Sequence, residues 1–206
     1  MSLVDEPIVE ALPLSQQLKA ATHATHDRLD KRIMAEDIFA DRARFARFVA
    51  VQHRFHQHLD ALHRRADLGV LLPDLSARNR LSRISEDLSN LAFPLPPPAQ
   101  LDDADMPLPA ALGWLYVAEG SNLGGTVLFK MAQQKLGLDA NTGAGHLAAH
   151  VDGAARHWRE FTRALDAVAL TDSEREAVFE GANAAFATVH AYVVDAFADL
   201  QPPQAG

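Results

Sequence analysis

Apolar residues recur at intervals of three and four along most of this chain, the period of a helix with one buried stripe. Leu18, Thr22, His26, Leu29 and Ile33 form the first stripe and predict a helix from Ser15, as N-cap, to about Met34. Phe45, Phe48, Phe55, Leu59 and Leu62 predict a second helix over about Asp41–Ala66. Leu81, Ile84, Leu88 and Leu91 predict a third over about Leu75–Ala92. Residues 94–112, PLPPPAQLDDADMPLPAAL, are proline-rich and acidic and read as a loop within one domain, because neither side alone makes a complete core. Another helical stretch, Gly113–Leu136, stops at Gly137, a residue suited to a left-handed cap. Residues 139–152 read as loop, followed by helices over Gly153–Val168 and about Asp172–Leu200. Alternating β-branched runs are missing, so the expected fold is all-α. One domain should span residues 15–200, with a loose leader over 1–14 and a disordered tail over 201–206.

The stretch from Gly113 breaks a helix rule, since it holds Gly120, Gly124 and Gly125 in its interior. Each interior glycine costs a helix roughly 1 kcal/mol relative to alanine. Gly120 and Gly124 are one turn apart and share a face. A helix without side chains on one face admits something flat against its backbone, either a second helix or a planar cofactor.

Charge and composition narrow the choices. The formal net charge of −8 argues against a nucleic-acid or anionic-membrane surface, and suits a partner with basic patches. Cysteine is absent, which excludes disulfides, thiolate metal sites, iron–sulfur clusters and a thiol nucleophile. With no long apolar run and no signal-peptide pattern, the expected location is the cytoplasm.

Ten histidines make imidazole the obvious metal ligand. His26 lies within the first apolar stripe and His23 toward the polar side. A histidine in that place is more often a satisfied core residue than a ligand. His56 shares a face with Gln52 and Leu59, whereas His53 and His63 read as solvated. His146 and His150 have i, i+4 spacing, but a glycine-rich setting and no carboxylate partner make a weak metal clamp. No His-Glu-x-x-His, Glu-x-x-His, phosphate-binding loop or Gly-x-Ser-x-Gly is present.

Two segments together resemble the bacterial haem oxygenases: LKAATHATHDRLD (Leu18–Asp30) and GWLYVAEGSNLGGTVLFKMAQ (Gly113–Gln133). FARFVAVQHRFHQHL and GAGHLAAHVDGAARHWREF support the resemblance, which covers roughly residues 15–198. It implies a single-domain helical fold holding haem between a proximal helix and a kinked distal helix. It implies conversion of haem to biliverdin, carbon monoxide and ferrous iron. The co-reactants would be O2 and electrons from an external ferredoxin- or flavoprotein-type donor, and a photoreceptor could accept the biliverdin. His26 is then the iron ligand, since it follows Leu18, Lys19 and Thr22 at the family's spacing. Gly120, Gly124 and Gly125 become the wall that keeps bound oxygen over the ring edge. Gln52, His56 and Trp158, with Ser121, Asn122 and Arg80, match the positions that hold proton-delivering water. Lys19 and Tyr116 match the residues that hold haem propionates for cleavage at the α-meso carbon. The branch that cuts at β and δ has Asn and Phe there and a lysine at the position of Met131, so this chain departs from it at all three. The alternatives are a haem carrier or sensor of the same fold without turnover, and an all-α small-molecule enzyme of another bundle family.

Overall fold

The computed structural model describes residues 12–72, 74–98 and 105–200, and among these it contains helices and turns but no strand. Helix α1 spans Leu14–Ala35. Its N-cap is Pro13, whose carbonyl accepts the N–H groups of Gln16 and Gln17 at 3.0 and 3.1 Å. Ser15 is therefore not the cap. Its N–H and Oγ donate instead to the Asp166 carboxylate, at 2.7 and 2.9 Å. Leu14 belongs to the helix and is buried. Residues 1–11 and 201–206, on which the leader and tail expectations mainly fall, lie outside the described residues.

Helix α2, Arg42–His63, is capped by the Asp41 carboxylate, which accepts the Arg44 N–H at 2.8 Å. Phe45, Phe48, Phe55, Leu59 and Leu62 are all buried, as the stripe predicts. His53 and His63 are buried too, contrary to expectation. The reason is position, because α2 packs against α3, α4, α5 and α7 at once and keeps little free surface. Periodicity in one helix cannot report how many neighbours cover it.

Helix α3, Ala66–Leu71, was not legible as a separate element. The expected third helix is divided into a single 3-10 turn, Leu75–Arg78, and α4, Leu81–Asn90. Asn79 makes the break: its side chain accepts the Leu81 N–H at 2.9 Å and donates to Asp60 at 2.7 Å. A short polar side chain that bonds locally competes with the helix ladder. Helix α5, Leu108–Leu136, begins inside the stretch expected as loop and ends on Gly137 in the left-handed region, φ 65°. It continues unbroken through its glycines. Helix α6 spans Ala154–Asp166. Helix α7, Asp172–Ala196, starts with a capping box between Thr171 and Glu174.

Helix α7 organises the rest. Both α1 and α5 pack extensively along it, whereas α1 and α5 are not a packed pair. The α5–α7 approach is backbone to backbone. A Cβ on Gly113 would come 2.5 Å from the Ala182 nitrogen and would overlap the Val178 carbonyl, and one on Gly181 would come 2.7 Å from the Cα of Ala110. The glycines that permit close helix packing are therefore Gly113 and Gly181, not the three that stood out in the sequence. No helix is long and apolar enough to cross a membrane among the described residues.

Candidate functional site

The first stripe of α1 places Leu18, Thr22 and Leu29 in the core, but His26 remains 54% exposed. Its neighbour His23 is more open, at 74%. His26 thus faces inward only in part. Its ring meets Phe186 of α7 edge-on at 5.5 Å, one turn beyond the place where Asn183 accepts a hydrogen bond from Thr25 at 2.6 Å. The His26 Nδ1 lies 3.2 Å from the Asp30 carboxylate, one turn along α1. A carboxylate on Nδ1 fixes ring orientation and leaves Nε2 as the metal-binding nitrogen. Burial raises the Asp30 pKa, an effect that His26 partly offsets and Asp27 reinforces. Asp30 escaped the sequence reading, although its i, i+4 spacing from His26 was a usable signal.

Gly120, Gly124 and Gly125 of α5 do different things. A Cβ on Gly124 would meet nothing within 4 Å, so this face is open. A Cβ on Gly120 would rest 3.8 Å from the Trp158 ring, in ordinary contact. Gly125 is turned away from the open side, where a Cβ would lie 3.4 Å from Leu147. Of the three expected to line the haem, Gly124 is open, Gly120 borders Trp158, and Gly125 receives a loop.

Near that region Tyr116 is buried, and its ring lies 5.4 Å from that of Trp158. Burial raises the Tyr116 pKa, with a smaller contribution from the Asp166 carboxylate. Because Asp166 also binds Ser15, one turn before Lys19, Tyr116 and the start of α1 belong to one end of the molecule. Lys19 is exposed, and neither its amine nor the Tyr116 hydroxyl has a polar partner among the described residues.

A cleft beside Trp158 is lined by Arg80, Asn122, Glu119, His150 and His157. The structure thus brings together Arg80, Asn122 and Trp158, which sequence singled out, while Ser121 is exposed and lines no part of it. It adds a buried ion pair that sequence reading missed. Arg78 donates to Glu119 at 2.6 Å and to Asp74 at 3.1 Å, and Asn122 donates to Glu119 at 3.2 Å. Burial raises the Glu119 pKa, opposed by Arg78. His150 and His157 stack with centroids 4.3 Å apart. Arg80 is largely committed to structure, donating to the carbonyls of His146 and Ala148.

Behind this cleft lie buried imidazoles. Gln52 and His56 are both buried, as expected. Burial, with His63 and His146 nearby, holds the His56 pKa well below the ordinary histidine value. The His56 Nδ1 has no hydrogen-bond partner, and neither has the His146 Nε2. Unpartnered buried nitrogens of this kind are sites for bridging water. His146 and His150 do not form a metal clamp. The His146 Nδ1 lies 2.8 Å from Asp87, the carboxylate partner that sequence did not supply, and His150 stacks on His157. Among the described residues no group of three or more His, Asp or Glu is arranged to hold a metal ion.

The chain is 42% identical to Heme oxygenase PigA of Pseudomonas aeruginosa over 173 residues, covering 84% of this chain and 87% of that protein. Its fold matches the crystal structure of the NO- and CO-bound heme oxygenase of Neisseria meningitidis with a TM-score of 0.85 and 34% identity, covering 95% and 99% of the two chains. The heme oxygenase of Leptospira interrogans matches at a TM-score of 0.73 with 16% identity, covering 89% and 100%, and shares the fold. The family model described as Heme oxygenase matches residues 12–195. With that match spanning nearly every described element, this chain belongs to the heme oxygenase family.

Proposed function

We propose that this haem oxygenase ligates haem through His26 and opens the ring predominantly at the α-meso carbon. The products are biliverdin, carbon monoxide and ferrous iron. The observation that carries the isomer is the placement of Lys19 and Tyr116 at one end of the molecule, each with an uncommitted polar group. Two such donors suit two propionates at one haem edge.

Haem supplies the iron that binds and activates O2 and is also the molecule consumed. The chain's own residues do the rest. His26 offers its imidazole, and the Asp30 carboxylate orients it from the Nδ1 side. A neutral ligand does not push electron density as a thiolate would. Gly124 leaves room for the substrate to approach the α5 backbone. Gln52, His56 and Trp158 hold water for proton delivery, with Asn122 at the rim of the cleft. Arg80 serves by shaping that cleft. Electrons come from a ferredoxin- or flavoprotein-type donor in the cytoplasm, and biliverdin passes to an acceptor such as a photoreceptor.

The test is direct. Haem added to the purified protein should give a histidine-ligated Soret band at about one haem per chain. O2 and a reductant should then yield biliverdin, with the α isomer dominant on chromatographic separation. A product dominated by β and δ isomers would overturn the Lys19–Tyr116 assignment and leave haem degradation intact.

A further inference from the structure

The loop behind the distal helix is held by α4 through an unusually complete set of bonds. The buried Asp87 carboxylate accepts the N–H groups of Gly145 and His146 at 2.8 and 2.7 Å, and lies 2.8 Å from the His146 Nδ1. Burial pushes the Asp87 pKa up, but the His146 ring and backbone donors outweigh it and leave it below the usual carboxylate range. Burial likewise keeps His146 low, so a neutral imidazole donates its Nδ1–H to an ionised Asp87. Arg80 holds the carbonyls of His146 and Ala148, and Arg83 holds that of Ala140. The Arg83 guanidinium also fills the space that a Cβ on Gly145 would need.

The far side of the same loop presses on α5. A Cβ on Gly125 would lie 3.4 Å from the Leu147 Cδ2 and 3.7 Å from its Cα and carbonyl oxygen. Gly125 is the neighbour of Gly124, whose face is open. This part of α5 is intrinsically weak, since each glycine costs about 1 kcal/mol of helix preference. Its position must come from what stands behind it.

We propose that Asp87, acting through His146 and Leu147, is a positioning residue for the distal helix. The clamp fixes how deeply the loop presses on Gly125, and so where the Gly124 face stands against bound haem. The buttress itself follows from the contacts above, whereas its catalytic consequence rests on the function proposed in the preceding subsection.

Hydrogen–deuterium exchange of the haem-free protein tests the buttress. Asp87→Asn removes the ionised acceptor, and Leu147→Ala keeps the clamp but removes the contact. In both, exchange over residues 118–128 should quicken by about tenfold or more, while residues 108–117, held by the Gly113–Gly181 contact, change by less than about twofold. Unchanged exchange at 118–128 in Leu147→Ala, or an equal rise in both segments, overturns the proposal. With haem, O2 and reductant, both variants should shift the biliverdin isomer ratio, which simple loss of stability would not move. A wild-type isomer ratio in both variants overturns the positioning role. Selective loosening of 118–128 in a protein that makes no biliverdin at all would support the buttress and overturn the functional reading.

Discussion

Gly124→Ala should make the haem-free protein more stable and the enzyme worse. Alanine is preferred over glycine in a helix interior by about 0.8–1 kcal/mol. The added Cβ meets nothing within 4 Å, so no packing penalty offsets that gain. For a chain of this size about 1 kcal/mol raises the melting temperature by roughly 2–4 °C. The same methyl extends about 1.5 Å into the open face. If haem lies there, the substrate must retreat, and a misplacement of about 1 Å commonly costs on the order of 100-fold in rate. Gly113→Ala is the contrasting control, because its Cβ would come 2.5 Å from the Ala182 nitrogen. Forcing α5 off α7 should cost about 1–3 kcal/mol or more. Thermal melts of the haem-free proteins give the stability order, and single-turnover biliverdin formation at saturating haem gives the rate. A Gly124→Ala variant that melts below wild type, or turns haem over at the wild-type rate, would refute the assignment of this open face to the substrate.

His26→Ala should abolish the histidine-ligated Soret band, and added imidazole should restore it. If His23→Ala removes the band while His26→Ala keeps it, the ligand assignment fails. Lys19→Asn combined with Tyr116→Phe should lower the share of the α isomer more than either change alone, because two anchors at one haem edge act together. An unaltered isomer ratio in the double variant contradicts propionate binding. The protein should also lose stability on mild acidification, since His56 and His146 are both held below the ordinary value of 6.5 by burial. The unfolded chain takes up those protons first. The stabilisation is therefore present above about pH 6.5 and lost as pH falls toward the depressed values, at up to about 1.4 kcal/mol per pH unit for each group. A melting temperature that stays flat from pH 7.5 to 5 would show that these imidazoles do not titrate as described.

The periodic stripes made the helices legible wherever one element had one buried face, as in α1, where Leu18, Thr22 and Leu29 are buried. They failed where context rules. Asn79 interrupts a helix through side-chain bonds that carry no periodic signal. Four-sided packing of α2 hid the burial of His53 and His63. At the candidate site, His26 stood out by motif, whereas Asp30 carried only an i, i+4 spacing that went unread. The Arg78–Glu119 pair joins residues 41 apart in sequence, and Asp87 meets His146 across 59, so neither had a local signature. The glycines were legible as anomalies but not by role. Sequence could not separate the one that faces open space from the ones that receive a loop or a helix.

Helix α7 works as a gauge. Gly181 sets the approach of α5, Asn183 binds Thr25 of α1, and Phe186 meets His26, all within two turns of one rod. The separation of α1 from α5, the two jaws, is thus set largely by the angular and axial offsets among three α7 positions, with α6, which packs against both, as a second spacer. One residue inserted between Gly181 and Asn183 would turn the α1 contacts by about 100° and slide them about 1.5 Å relative to the α5 contact. Each jaw could still fold against α7, yet the gap between them would no longer match a flat ring. On the proposed reading, substrate fit is measured out along a helix other than the one that carries His26.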